Sequence, residues 1–198
     1  MNSCSKNILA LVLGSAFAMS AHAEAPTPGS TDSTIAAVEW TGGIPVVLAG
    51  EYTKITGLNG APLVQGELDV NLDGSFGSKA GSVGQVITEL HNYDSETETV
   101  GDILKEADAT SISWSLISNP VVSSSGVTDT SSAKAVLTAN TVLGASVMDM
   151  SSDPLTGTPT EVNRVSWNIN SAKDGLLGDI NQGDVISVSA MVQAETTF

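Results

Sequence analysis

The chain has 198 residues, with 7 Lys and Arg against 22 Asp and Glu, which gives a formal net charge of −15. An acidic chain without a basic cluster lacks the side chains that neutralise phosphates, so we exclude a nucleic-acid binder. A single cysteine excludes an intramolecular disulfide and a cysteine-based zinc site, while 41% hydrophobic residues suffice for the core of one domain.

Residues 1–23 predict an export signal. Lys6 precedes an apolar stretch from Ile8 to Met19, and Ala21-His22-Ala23 has the small-x-small pattern of a cleavage site. The apolar stretch is shorter than the roughly 20 residues of a membrane-spanning helix, so a retained anchor is the less favoured alternative. We expect cleavage to remove Cys4 with the signal, which leaves an exported mature chain without cysteine.

The start of the mature chain combines a tail with an alternating stretch. Residues 24–33 are rich in Pro, Ser and Thr, which predicts a flexible tail. Alternation then begins at residue 34, with one face formed by Thr34, Ala36, Val38 and Trp40 and the other by Ile35 and Ala37. This period of two is that of a β-strand.

The remaining chain is rich in Val, Ile, Thr and Ser and is interrupted by turn residues, which predicts an all-β sandwich or barrel. The predicted strands are 40–48, 64–72, 85–91, 111–118, 133–139, 142–150, 161–169 and 184–198. The last is the clearest, and its apolar face is formed by Ile186, Val188, Ala190, Val192 and Ala194, with Phe198 in the same register. Between the strands, Val100, Ile103, Leu104 and Ala107 have helical spacing and predict one short helix or helical turn.

Two segments are candidates for a chemical site. Asp69, Asn71 and Asp73 match the start of an EF-hand calcium loop, but Ala80 occupies the position of its bidentate glutamate. We favour a hairpin with a turn at Asp73-Gly74, because alternation explains the same residues without a metal.

His91 is the other candidate, as a general base paired with an acid. The mature chain has neither a Gly-x-Ser-x-Gly elbow nor a cysteine nucleophile, so we interpret His91 as a polar residue at the end of a strand. We likewise interpret the acidic run 94–98 as a solvated loop. The sequence therefore predicts no enzyme and no cofactor.

The signal peptide, the N-terminal segment, the stretch Val38-Glu39-Trp40-Thr41-Gly42-Gly43-Ile44-Pro45 and the alternating last strand together resemble a family. They are similar to the pilins of chaperone–usher fimbriae, and most similar to the disulfide-free major subunits of colonisation-factor fimbriae of the coli surface antigen type. Many pilins carry one disulfide, which this chain cannot form. Across residues 50–180 the resemblance is one of architecture alone.

The resemblance implies an incomplete immunoglobulin-like sandwich over residues 39–198, preceded by a flexible donor-strand extension over residues 24–38. The donor strand would comprise Thr34, Ile35, Ala36, Ala37 and Val38. The acceptor groove, which also contacts the chaperone, would be lined by Ile186, Val188, Ala190, Val192 and Phe198. The register of the donor strand stays open, since both of its faces contain small apolar residues.

The same resemblance implies a structural subunit of a cell-surface fimbria that supports adhesion and is exported through the periplasm. Its partners would be a periplasmic chaperone, an outer-membrane usher and further copies of the chain, with a host receptor as a possible fourth. The alternative from another class is a secreted or periplasmic β-sandwich module that binds carbohydrate or a metal ion. That alternative predicts a complete, stable monomer, whereas a pilin depends on a strand from its neighbour.

Overall fold

The computed structural model describes residues 25–40 and 47–198. The predicted export signal and residues 41–46 of the Trp-x-Gly stretch lie outside these ranges. In chain order the strands of the described part are β1 (Thr31–Trp40), β2 (Val47–Leu48), β3 (Thr53–Thr56), β4 (Leu68–Val70), β5 (Phe76–Ser78), β6 (Val86–Asp94), β7 (Thr99–Ile103), β8 (Ser111–Ser124), β9 (Ala135–Thr141), β10 (Gly144–Met148), β11 (Leu155–Gly157), β12 (Arg164–Ser171) and β13 (Ile186–Thr197), with a helix α1 (Pro159–Val162) before β12.

The strands form two antiparallel sheets, which confirms the predicted all-β sandwich. The first sheet has the order β11-β8-β13-β1-β2. The second runs β10-β9-β12-β5-β4, and β6 pairs beside β12 and brings β3 and β7 into the same sheet. Alternating sequences suit this arrangement because each strand has one face toward the other sheet and one toward solvent.

The core lies between the sheets and is centred on two tryptophans. Trp114 comes from β8 of the first sheet and Trp167 from β12 of the second, and both are fully buried. Their ring centroids are 5.6 Å apart at an interplanar angle of 69°, an edge-to-face contact across the sandwich. Each indole N–H has a partner, since Trp114 donates to the carbonyl of Val162 and Trp167 to the hydroxyl of Thr88.

The helix predicted from Val100 to Ala107 is wrong. Residues Thr99–Ile103 form β7, which pairs with β6 through His91 opposite Ile103 and Tyr93 opposite Val100. The acidic run before it is the exposed turn of this hairpin, in which the carboxylate of Asp94 accepts the N–H groups of residues 96 and 97. Pairing with β6 gives this five-residue segment hydrogen bonds along one edge, whereas an isolated helix this short is only marginally stable.

One short helix does occur, at Pro159–Val162, and its last two residues overlap the start of the segment that we predicted as the strand 161–169. Pro159 stands at the first helical position, and Glu161 accepts the N–H of Thr158 at 2.8 Å, so a proline and an N-terminal cap start the helix. The strand consequently begins at Arg164. The short strands β3, β7 and β11 were not predicted, and β5 was implied only as the second arm of the predicted hairpin, because a few residues show too little alternation to be recognised.

Candidate functional site

The N-terminal strand β1 lies inside the first sheet, between β13 and β2. All ten of its residues pair antiparallel with β13, from Thr31 opposite Thr197 to Trp40 opposite Val188. On its other side, Ile35 and Ala36 pair with Leu48 and Val47. Residues 31–33, which composition assigns to a flexible tail, are thus the first three of this strand. The segment predicted as a donor strand and the strand predicted to line its groove are direct neighbours.

The inward face of β1 is buried. Thr34, Ala36 and Val38 are 0% exposed and Trp40 is 2% exposed, whereas Ile35 and Ala37 on the other face are only half-buried. The sequence did not decide which face of β1 is buried. In the structure, the face of Thr34, Ala36, Val38 and Trp40 lies in the core. The predicted donor residues stop at Val38, and Trp40, which has the same parity, completes the inward row.

The polar side-chain atoms of this row donate hydrogen bonds to backbone carbonyls of neighbouring segments. The buried hydroxyl of Thr34 donates to the carbonyl of Leu48 at 2.9 Å. At the far end, the indole of Trp40 donates to the carbonyl of Gly84 at 3.0 Å. Gly66 packs so closely against this indole that a Cβ at position 66 would overlap it. The indole therefore fits a site in which glycine is required.

The predicted acceptor residues lie on β13 and beyond it. Val192, Ala190 and Val188 are buried opposite Ala36, Val38 and Trp40. Ile186 is also buried but lies past the end of β1. Phe198 follows β13, where its carbonyl accepts the N–H of Gly29 at 2.6 Å and its ring contacts Tyr52 edge-to-face at 5.9 Å. Ala194, opposite Thr34, belongs to the same row.

His91 lies within a buried ionic cluster and not at the end of a strand, where we expected it. It occupies the middle of β6 and is 5% exposed. Its Nε2 is 3.0 Å from Oε2 of Glu89, and its Nδ1 is 2.8 Å from the carbonyl oxygen of Gly101. Both ring nitrogens are thus directed at acceptor oxygens. In these contacts, neither nitrogen is placed to take a proton from a hydroxyl or thiol.

The segment of Asp69, Asn71 and Asp73 is a hairpin formed by β4 and β5. The N–H of Gly74 donates to the carbonyl of Asn71, and Oδ1 of Asp73 accepts both the N–H and the hydroxyl of Ser75. These hydrogen bonds hold the pKa of Asp73 below its usual value. In the described ranges, no three His, Cys, Asp or Glu side chains are grouped so that they could hold a metal ion.

Comparisons with known proteins find no match among family models, curated proteins or solved structures. Among the residues that the structure describes, no helix is both long and apolar enough to cross a membrane. Within the described part of the chain, the position of β1 between β13 and β2 is therefore the feature that points most directly to a function.

Proposed function

We propose that this chain is a structural subunit of a cell-surface fimbria that polymerises by donor-strand exchange. In this proposal, residues 31–40 of one copy occupy the position between β13 and β2 of the next copy. A periplasmic chaperone occupies the same position before assembly, and an outer-membrane usher receives the subunit. The chain performs no catalysis, and the fibre supports adhesion.

The observation that supports this proposal is that an N-terminal strand fills a gap inside a sheet and not at its edge. Without β1, β13 would expose a row of unpaired backbone groups along ten paired positions, and β2 would expose those of Val47 and Leu48, above an apolar floor. Such a groove is what strand addition requires, since backbone hydrogen bonds supply affinity and pockets for alternate side chains supply specificity. As part of the same proposal, we assign the sandwich to the immunoglobulin-like type.

The position of β1 is also compatible with exchange between copies. In the sequence, β1 and β2 are separated by residues 41–46, which lie outside the described ranges. The same contacts can form when β1 comes from a second copy, because the paired residues do not depend on the connection. Exchange of an identical element in this way is a low-cost route to assembly.

The alternative function, an exported module that binds carbohydrate or a metal ion, has one observation in its favour. Here β1 completes the sheet of its own chain, and the inward residues from Thr34 to Trp40 are as buried as the rest of the core. A module of this kind would be a stable monomer that folds without a chaperone. The two functions therefore differ in whether β1 stays with its own chain.

Deletion of residues 24–38 from the mature chain tests the proposal. We expect the full-length mature chain to form a ladder of polymers on size-exclusion chromatography and unheated gels. The deletion variant should still bind its chaperone but form no polymers, because the groove has no strand to receive. Normal polymers from the deletion variant, or a full-length chain that remains a heat-stable monomer, would contradict the proposal.

A further inference from the structure

The first inward residue of β1, Asp32, has its carboxylate bound by the turn Gly50–Thr53. Its Oδ1 accepts the N–H of Glu51 at 3.0 Å. Its Oδ2 accepts the N–H of Tyr52 at 3.0 Å and the hydroxyl of Thr53 at 2.7 Å. The turn is closed by the N–H of Gly50, which donates to the carbonyl of Thr53 at 2.9 Å. Three donors from one turn thus converge on a single carboxylate, a geometry suited to an anion.

Gly50 makes this approach possible. A Cβ at position 50 would overlap both carboxylate oxygens of Asp32. The glycine is needed here for space, since the backbone of the turn comes directly against the side chain of β1. The turn is therefore fitted to a carboxylate at this position of the neighbouring strand.

Alternation alone does not fix the register of β1. A slip by one residue turns every inward side chain outward, but a slip by two residues restores the same faces. The central inward residues, Ala36 and Val38, are small and apolar, so they discriminate weakly between such registers. The ends of the row must therefore select one of them.

The two ends of β1 each oppose one direction of slip. A two-residue slip in one direction moves Asp32 to the fully buried position of Thr34, where a carboxylate would lose its three donors. A slip in the other direction moves Trp40 into the space of Val38, which a much larger indole would overpack. Both slips also leave the donors of residues 51–53 without the carboxylate that they now bind.

We propose that the turn Gly50–Thr53 is a carboxylate-binding site that recognises Asp32 of the inserted strand and thereby selects its register. This inference rests on the proposed function for its partner, a second copy of this chain. The ligand of the turn is an aspartate in an extended segment, located eight residues before the tryptophan that fills the opposite end of the groove.

Cysteine pairs in the mature chain, which has no cysteine of its own, measure the register directly. Ile35→Cys with Gln193→Cys joins residues that are opposite each other in the structure. Ile35→Cys with Glu195→Cys, or with Met191→Cys, joins residues that become opposite only after a two-residue slip. Each pair is made in the parent chain and in Asp32→Ala and Asp32→Asn variants, and circular dichroism identifies the variants that fold.

In the parent chain we expect the 35–193 cross-link to exceed either slipped cross-link by at least about tenfold, because a slipped strand loses hydrogen bonds to a charged group. Both Asp32 variants should reduce this ratio several-fold. Glu51→Gln is the matched control, since it removes one exposed acid from the same turn but keeps the backbone N–H that binds Asp32. It should leave the ratio unchanged. An unchanged ratio in the folded Asp32 variants would overturn the inference.

The same gels separate this inference from the proposed function. Cross-links between chains give a ladder and support strand exchange, whereas cross-links confined to single chains contradict it. The register is given by which cysteine pair reacts, whether the product is a ladder or a monomer. A monomer with a strict register would therefore overturn the fimbrial proposal and retain the carboxylate-binding turn as the site that orders β1 within its own chain.

Discussion

Glu89 is a buried carboxylate that is surrounded by hydrogen-bond donors. Arg164 contacts Oε1 through Nε at 2.8 Å and through Nη2 at 2.5 Å, while the N–H of Asn59 and Nε2 of His91 contact Oε2 at 2.6 and 3.0 Å. Burial by itself raises the pKa of Glu89, but the hydrogen bonds from His91, Arg164 and Asn59 outweigh it and the pKa lies below its usual value. Glu89 thus joins β6, β12 and the turn 58–60.

Replacement of Arg164 by Met should destabilise the fold in a pH-dependent manner. A carboxylate with a lower pKa in the folded chain stabilises the fold above its unfolded pKa, and this contribution is lost as the pH falls through the folded pKa. Without Arg164 the folded pKa rises toward the unfolded one. We expect a loss of about 1–3 kcal/mol in the free energy of unfolding at pH 7, measured with urea, because a buried charge loses its hydrogen bonds.

The loss caused by Arg164→Met should shrink below about pH 4, where Glu89 becomes protonated in the unfolded chain. Lys105→Met is the control, since it breaks an ion pair with Asp102 that is exposed on both sides and should change stability little. A loss of the same size at pH 7 and pH 3 would contradict the assigned role of Glu89.

In the strand β1, adjacent side chains point to opposite faces of the sheet and therefore differ in burial. Ala36 faces the core and is 0% exposed, whereas Ala37 lies on the outer face of the same strand and is half-buried. The two residues share their chemistry and their strand. They therefore differ only in the face on which they lie.

Substitution of each alanine by aspartate should separate the two faces. Ala36→Asp places an unpaired charge in the core and should cost at least about 3 kcal/mol, or prevent β1 from inserting. Ala37→Asp should cost less than about 1 kcal/mol, because its carboxylate can reach solvent. Urea unfolding of both variants, together with the polymer ladder, provides the measurement. Equal losses would mean that the inward face is assigned incorrectly.

At the scale of the whole molecule, the contact between Trp114 and Trp167 joins the two sheets at the centre of the core. Each ring is also held by its indole N–H, that of Trp114 at 2.8 Å from the carbonyl of Val162 and that of Trp167 at 2.9 Å from the hydroxyl of Thr88. The aromatic content is only 4%, so few other side chains could fill a comparable volume. The sandwich should therefore depend strongly on this pair.

Trp167→Ala should lower the free energy of unfolding by about 3–5 kcal/mol, because it leaves a large cavity between the sheets. Trp167→Phe should have a smaller effect, since it keeps most of the volume and loses the hydrogen bond to Thr88. Val127→Ala, at a side chain that is 78% exposed, is the control and should change stability by less than about 0.5 kcal/mol. Thermal unfolding followed by circular dichroism would check the order, and a Trp167→Ala variant as stable as the control would contradict it.

The all-β class, most of the long strands and the inward face of β13 could be predicted from the sequence, since period-two alternation is a local property that burial on one face requires. The sequence also indicated that residues 34–38 and 186–198 belong to one candidate site, although only through a resemblance. The prediction of a helix at 100–107 was wrong, because the helical spacing of four apolar residues does not show that residues 99–103 can pair with β6.

The buried face of β1, the residues opposite it and the contact of Asp32 with the turn Gly50–Thr53 became known from the folded structure. Both faces of residues 34–38 are partly apolar, so the choice depends on the groove and not on the strand. The contact of Asp32 joins residues about twenty positions apart, and the cluster of Glu89 and Arg164 joins residues 75 positions apart. Alternation is local and can be seen in sequence, whereas register is a relation between distant segments that exists only once the chain has folded.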